Sequence, residues 1–151
     1  MRKRNLEEKF TTVFQVRDEK RRLVVMGLED DRRLAKNLQE VIASYQQLHE
    51  ESLARLFVKS SLNGNEIPLD KAHLCAYLDE TCLWIGKDLA KELAPLDLRP
   101  SECFSSAREF AANPKKILKN YDFTKSRVQK YAALQIKTAA KEHLHLNREV
   151  Y

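Results

Sequence analysis

The sequence predicts an all-α fold, a compact domain of six or seven helices. Glycine and proline are scarce, with 3 and 4 among 151 residues, and Ala, Leu, Lys, Glu and Arg dominate. These residues favour helix over sheet. Apolar residues also recur at helical spacing along most of the chain, and no alternation typical of strands persists.

The first third of the chain predicts two full helices after a short amphipathic piece. Asn5–Val16 places apolar residues at helical spacing, and the stretch RDEKRRLVVMGLEDDRR that follows is a turn-rich join. Within this join, Leu23–Met26 is either extended or simply buried. Helices are expected from about Asp31 to Leu48 and from about Glu50 through Leu62.

The segment SLNGNEIPLD, with Asn-Gly and a proline, is the clearest predicted loop. The longest helix opens at Pro68 and Asp70 and ends before Pro95. Ser101 is the expected N-cap of the next helix. The expected inward side chains of the longest helix recur with a period near 3.6: Leu74, Tyr77, Leu78, Cys82, Ile85, Leu89 and Leu93.

Two further helical segments are predicted toward the C-terminus. The helix that begins after Ser101 extends through Phe110–Ala111, and Pro114 restarts a short helix. A bend over Asp122–Ser126 precedes the last helix, which runs from about Arg127 to Leu146.

The positive charge is unevenly distributed along the chain. The net charge is +5, and residues 114–151 hold nine basic against three acidic side chains. Residues 1–50 have a net charge of +2 and residues 51–113 of −3, so the whole surplus falls in the last quarter. This asymmetry favours a polyanionic partner there, most often a nucleic acid.

Composition also indicates a cytoplasmic protein. No apolar run approaches the roughly 20 residues of a membrane span. The basic N-terminus MRKRNLEEKF has no apolar run typical of a secretory signal. Three cysteines without CxxC spacing are typical of reduced thiols in a cytosolic core.

The sequence contains no pattern that predicts an enzyme, a metal site or a cofactor. It has no G-x-S-x-G motif and no glycine-rich phosphate loop. His143 and His145 are two residues apart, so a helix directs them to different faces and they chelate a metal poorly. We therefore expect a binding protein rather than a catalyst.

The stretch Tyr121–Leu144 combines a basic row with aromatic residues. A basic row on a helix is usually only a solvated face. Here acids are few nearby, and Tyr121, Phe123 and Tyr131 are interleaved with the cations. Cations bind phosphates and aromatic rings hold unstacked bases, which favours a nucleic-acid contact. The predicted apolar stripe comprises Tyr131, Ala132, Ile136, Ala139, Ala140 and Leu144, and the predicted basic row comprises Arg127, Lys130, Lys137 and Lys141.

These residues resemble the second conserved region of bacterial sigma factors. That region has an Asp-containing bend and then a helix with Tyr-Ala-x-x-x-Ile-[Lys/Arg]-x-Ala. The chain has Tyr121-Asp122, then RVQKYA from Arg127 and IKTA from Ile136. SECFSSAREF resembles the preceding acidic helix of the family. MRKRNLEEKF, VFQV and HLCAYLDETCLWI are similar to the N-terminal part of cyanobacterial alternative sigma factors, so the resemblance covers nearly the whole chain.

The resemblance implies a single helical domain over residues 1–151, with N-terminal helices in 1–66 and sigma-region-2-like helices in 67–151. The acidic helix would bind the β′ clamp helices of core RNA polymerase through Glu102, Arg108 and Glu109. The following helix would bind the non-template strand of the minus-ten promoter element, with Tyr131 stacked on the flipped adenine. The implied DNA-binding residues are Arg127, Lys130, Tyr131, Gln135, Lys137, Thr138 and Lys141.

The chain departs from the housekeeping sigma factors in its aromatic residues. Leu134 and Gln135 replace a Trp pair, and Val128 replaces an aromatic three residues before the tyrosine. Promoter opening is therefore expected to be weaker or more selective. The chain is either the N-terminal part of a longer factor or a free-standing sigma-like protein, and an anti-sigma factor is a further candidate partner.

Two alternative functions stay open at this point. One is a helical protein-interaction module or anti-sigma-like regulator without DNA binding. The other is a general basic helical nucleic-acid binder, whose affinity follows salt and ignores the base at any single position.

Overall fold

The computed structural model describes residues 3–46, 48–64 and 66–149 and is mostly helical. Gln47, in the helix expected from about Asp31 to Leu48, and Asn65, in the expected loop, lie outside the described residues, as do Met1, Arg2, Val150 and Tyr151. No helix in the described ranges is long and apolar enough to span a membrane. In chain order the elements are α1 (Leu6–Lys9), β1 (Thr12–Glu19), β2 (Arg22–Asp30), α2 (Arg32–Ser44), α3 (Glu50–Leu62), α4 (Asp70–Glu92), a 3₁₀ turn (Ala94–Leu96), α5 (Pro100–Ala111), α6 (Pro114–Ile117) and α7 (Val128–Glu149).

The prediction of an all-α fold is wrong for the segment between α1 and α2. There β1 and β2 form an antiparallel hairpin, in which Phe14 lies opposite Leu28 and Glu19 opposite Arg22. Valine, threonine and phenylalanine in this segment favour the pleated conformation. The turn residues Lys20 and Arg21 have φ values of 48° and 66°, as a tight hairpin turn requires at both central positions. Such a turn usually contains Asn-Gly. Because this one contains Lys20-Arg21 instead, the sequence did not indicate a hairpin.

The helices after the hairpin follow the prediction closely. α3, α4, α5 and α7 lie where they were expected, and every expected inward side chain of α4 is buried. α2 ends at Ser44 rather than Leu48, with Asp31 as its N-cap. The predicted cap of α5 is wrong, because the helix begins at Pro100 after Arg99. Ser101 instead donates its backbone N–H to Asp18 of β1 at 2.9 Å.

The core is built around α4. Phe10 stacks on Tyr77 with ring centroids 4.5 Å apart, so the segment just before the hairpin packs directly on this helix. α4 and α5 approach closely at Gly86, where an added Cβ would lie 2.9 Å from the backbone of Phe104. Only glycine fits this crossing without a shift of one helix.

The three cysteines are unpaired, as predicted. Cys82 and Cys103 are buried, and Cys75 is half-buried. Burial raises the pKa of Cys103 to about 11 and also raises that of Cys82. A thiol held protonated is a poor nucleophile, so these side chains act as small apolar groups.

Candidate nucleic-acid interface

The start of α7 is fixed by hydrogen bonds from its bend and from α3. Asp122 accepts from the hydroxyl and backbone N–H of Thr124 at 2.6 and 2.8 Å, which lowers the pKa of its carboxyl group. Tyr121 donates its hydroxyl to the carbonyl of Ser126. Glu51 of α3 accepts from the backbone N–H of Val128 at 2.7 Å. A carboxylate at this position satisfies an unpaired N–H and complements the helix dipole.

The three aromatic residues near the bend form one cluster. Tyr121 is buried and lies 4.8 Å from Phe123 and 5.4 Å from Tyr131 between ring centroids. Phe123 and Tyr131 are half-buried. Tyr121 therefore forms the buried side of the cluster, and Tyr131 has a partly exposed ring beside the bend.

The buried row of α7 shares four residues with the predicted stripe and begins one turn earlier, at Val128. Val128, Ala132, Ile136, Ala140 and Leu144 face the core, whereas Tyr131 and Ala139 are half-buried. Val128 is fully buried, so it cannot contact a base at the position where the family has an aromatic.

Two of the predicted DNA-binding lysines are paired with acids of α4. The ammonium of Lys137 lies 2.7 Å from Glu92 and 4.0 Å from Asp88, and that of Lys141 lies 3.4 Å from Glu92. Lys137 donates this hydrogen bond to the carboxylate of Glu92, which raises the pKa of Lys137 and lowers the pKa of Glu92. Exposed ion pairs of this kind are weak, so a phosphate can replace the carboxylate.

The other predicted residues have differing environments. Arg127 lies 3.8 Å from Glu50 and 3.7 Å from Glu51. Thr138 donates its hydroxyl to the carbonyl of Leu134 at 2.9 Å. Lys130 is exposed and has no ion pair with any residue in the described ranges.

Helical spacing places the seven predicted residues on two neighbouring rows of α7. Arg127, Tyr131, Gln135 and Thr138 follow one row, which begins at the bend. Lys130, Lys137 and Lys141 follow the other, which faces the acids of α4. The single predicted surface is therefore two surfaces with different neighbours.

Trp84 is a surface residue that the sequence analysis missed. It is 55% exposed on α4, and Leu134 of α7 is 64% exposed. Both line a shallow groove of about 460 Å³, together with Lys130 and Lys137. Trp84 lies outside the inward set of α4, and this periodicity could have identified it as an exposed aromatic.

The predicted polymerase-binding residues on α5 are also divided. Glu109 is exposed, with its carboxylate 3.8 Å from the imidazole of His143. Glu102 lies two turns earlier on the same side and pairs with Arg99 at 3.1 Å. Arg108 turns inward to Asp79 and to the carbonyl of Phe14. Its guanidinium holds the fold together, and Glu109 is the exposed acid of the three.

Comparison with protein-family models, with curated proteins and with solved structures found no match to this chain.

Proposed function

We propose that the chain is a sigma-factor-like transcription initiation module. α7 binds the non-template strand of a minus-ten promoter element, and α5 binds the β′ clamp helices of core RNA polymerase. Residues 67–151 form the sigma-region-2-like part, and residues 1–66 support it. The protein acts by recognition rather than by catalysis.

One observation carries the DNA-binding half of this proposal. The partly exposed ring of Tyr131 lies on the first turn of α7, next to the bend and directly after the exposed Lys130. An aromatic face beside a cation without an acidic partner suits an unstacked base and its phosphate. The ring of Tyr121 packs against that of Tyr131, with the two centroids 5.4 Å apart.

The order of the elements supports the same proposal. An acidic helix, a bend held by Asp122 and a helix with Tyr131 and Lys137 follow one another, as in the family that the sequence resembles. The buried Val128 and the Leu134–Gln135 pair leave fewer aromatic faces for promoter melting. We therefore expect strand binding without strong duplex opening.

A binding assay tests the DNA half. Labelled single strands with a minus-ten element and with a scrambled sequence are titrated with the protein, and fluorescence anisotropy gives the dissociation constants. We expect the minus-ten strand to bind more tightly. Tyr131→Ala should weaken binding of the minus-ten strand roughly tenfold and so erase the preference, because base stacking is lost. Tyr131→Phe should retain the preference. Tyr45→Ala, at an exposed tyrosine beyond the end of α2, is the matched control. Equal binding of both strands by the wild type would contradict the proposal.

A second assay tests the polymerase half. Purified core polymerase is titrated with the protein, and Glu109→Lys is compared with Glu40→Lys, at another exposed acid, on α2. We expect only Glu109→Lys to weaken binding. No binding by the wild type would exclude the proposed polymerase contact.

One observation favours a protein-interaction module without DNA binding. Acids of α3 and α4 already pair with Arg127, Lys137 and Lys141, so local carboxylates reduce the charge available for phosphates. An anti-sigma-like regulator of this kind would bind its protein partner and neither of the two strands.

A further inference from the structure

The hairpin turn and α4 form a cluster of positive charge that is distant from α7 in the sequence. Arg21 and Arg22 of the hairpin and Lys87 and Lys91 of α4 line one cleft of about 290 Å³. Among the described residues that line this cleft there is no acid. The two arginines lie in residues 1–50 and the two lysines in residues 51–113, and the net charges of these segments are only +2 and −3. The basic cluster therefore arises from the fold and not from a basic stretch of sequence.

The cations of this cluster have few competing partners. Arg22 and Lys91 are exposed and have no ion pair with a residue in the described part of the chain. Arg21 pairs with Asp97 at 2.9 Å, but both side chains are more than 70% exposed, at 84% and 73%. Such a surface pair is weak and exchanges readily with another anion.

Trp84 lies on the same face of α4 as the two lysines. Trp84, Lys87 and Lys91 are three and four residues apart, so they follow one row of the helix, about 10 Å long. The ammonium of Lys87 lies 4.9 Å from the centroid of the Trp84 ring. The exposed ring therefore joins the cleft on one side to the groove with Lys130 and Leu134 on the other.

We propose that this face is a second nucleic-acid contact, in which the cleft between hairpin and α4 binds backbone phosphates and Trp84 stacks on a base. A single strand would cross from α7 over Trp84 to the hairpin turn. Cations supply the affinity and the aromatic ring accepts any base, so this contact does not depend on sequence. The identity of the strand as promoter DNA rests on the proposed function, whereas the contact itself does not.

Charge and shape favour a nucleic acid over an acidic protein. Four cations border a cleft next to a large, exposed aromatic ring. A nucleotide has the matching groups, because its phosphate binds cations and its flat base stacks on the ring. An acidic peptide would match the charges and leave the Trp84 ring without a partner.

Intrinsic fluorescence provides a direct test, because Trp84 is the only tryptophan in the chain. The full chain is titrated with oligo-thymidine at two salt concentrations. We expect the Trp84 emission to be quenched and the affinity to fall with salt. The double variant Arg22→Glu/Lys91→Glu should weaken binding at least tenfold at low salt and flatten the salt dependence. Arg32→Glu/Lys36→Glu makes the same charge change on α2 and should bind within about twofold of wild type; circular dichroism confirms that each variant is folded.

Three results would overturn the proposal. Binding without a change in Trp84 emission excludes stacking on this face. Equal weakening by both double variants shows that only net charge matters. Equal binding of poly-glutamate and oligo-thymidine identifies the cluster as a docking surface for an acidic protein.

The same titrations separate this inference from the proposed function. Tyr131→Ala should leave the extent of Trp84 quenching at saturating oligo-thymidine intact, because the Trp84 ring and the cleft between hairpin and α4 are unchanged in that variant. If the wild type quenches with oligo-thymidine but prefers no promoter strand, the sigma-like proposal fails and the contact at Trp84 stands. The converse result rejects the contact alone.

Discussion

Asp79 of α4 and Arg108 of α5 form a bidentate ion pair that also binds the backbone of β1. Nε and Nη2 of Arg108 each lie 2.7 Å from a carboxylate oxygen of Asp79. The same pair binds both polar groups of Phe14: its N–H donates to Asp79 at 2.8 Å and its carbonyl accepts from Arg108 at 2.7 Å. Main-chain groups of the hairpin are thus bound directly by side chains of two helices.

Removal of either partner should destabilise the fold strongly. Asp79 is nearly buried, so Arg108→Ala leaves an uncompensated carboxylate, and Asp79→Ala leaves the Phe14 N–H without an acceptor. We expect each change to lower the free energy of unfolding by about 3 kcal/mol in urea denaturation. Glu19→Ala breaks the exposed pair with Arg17 and should cost less than about 1 kcal/mol. Equal losses for the buried and exposed pairs would show that the Asp79–Arg108 geometry is unimportant.

Glu51 should stabilise α7 as a cap supplied by another helix. Glu51→Ala removes the acceptor of the Val128 N–H, and we expect a loss of about 1 to 2 kcal/mol in the free energy of unfolding. Amide hydrogen exchange should show faster exchange in the first turn of α7. Glu40→Ala, at an exposed position of α2, is the control and should change neither quantity. Unchanged protection at Val128 in Glu51→Ala would contradict the capping role.

His73 should make the stability depend on pH. Its Nδ1–H donates to the carbonyl of Phe10 at 2.8 Å, and Nε2 accepts from Asn37 at 3.0 Å, an arrangement that requires the neutral ring. Burial lowers the pKa of His73 below 6.5. As the pH falls through about 6.5, the unfolded chain binds a proton that the folded chain excludes, so stability decreases.

We expect a lower melting temperature at pH 5.5 than at pH 7.5. His73→Gln should be less stable at both pH values, and its melting temperature should vary less between them. His145→Gln, at a half-buried histidine of α7, should retain the slope of the wild type. A slope unaffected by His73→Gln would assign the pH dependence to other groups.

Gly86→Ala should separate α4 from α5. The new methyl group would lie 2.9 Å from the Phe104 backbone, which cannot move as a side chain can. Overpacking costs about 1 to 3 kcal/mol, and the better helix propensity of alanine returns about 1 kcal/mol. We expect a net loss by thermal denaturation. Gly27→Ala, where the nearest atom is the end of the Gln15 side chain at 3.6 Å, should be nearly neutral.

Glu92 should restrain nucleic-acid binding by α7. Glu92→Gln removes the carboxylate partner of Lys141 and leaves Lys137 only the more distant Asp88, so we expect about threefold tighter binding of a single strand and a steeper salt dependence. Glu142→Gln makes the same charge change at an exposed position of α7 and is the control. Equal gains in both variants would indicate an effect of net charge alone.

The sequence predicts the helices of this fold better than its hairpin, for a local reason. α4 has a long, regular apolar period and Pro95 beyond its end, so its extent and its buried face follow from sequence alone. The hairpin turns through Lys20 and Arg21, residues that rarely take positive φ, and its pairing depends on contacts with Asp79 and Arg108. Such distant contacts leave no periodic trace in the sequence.

The candidate site shows the same difference. The basic residues of α7 could be found by counting charges, because they lie on one helix. Their ion pairs with Glu92 could not, since 45 residues separate Lys137 from its partner. Arg22 and Lys91 lie in one cleft only in the folded chain, and the low net charge of their two segments does not indicate a basic cluster.

The attachment of Phe14 to Arg108 also has a consequence for synthesis on the ribosome. The two residues are 94 positions apart, so the hairpin leaves the exit tunnel long before its second partner exists. At roughly 5 to 20 residues per second, that delay is about 5 to 20 seconds. An isolated two-stranded hairpin is only marginally stable in water. The hairpin, which is translated near the start of the chain, is therefore among the last elements to become fixed, and until then the nascent chain exposes strand edges to which a chaperone can bind.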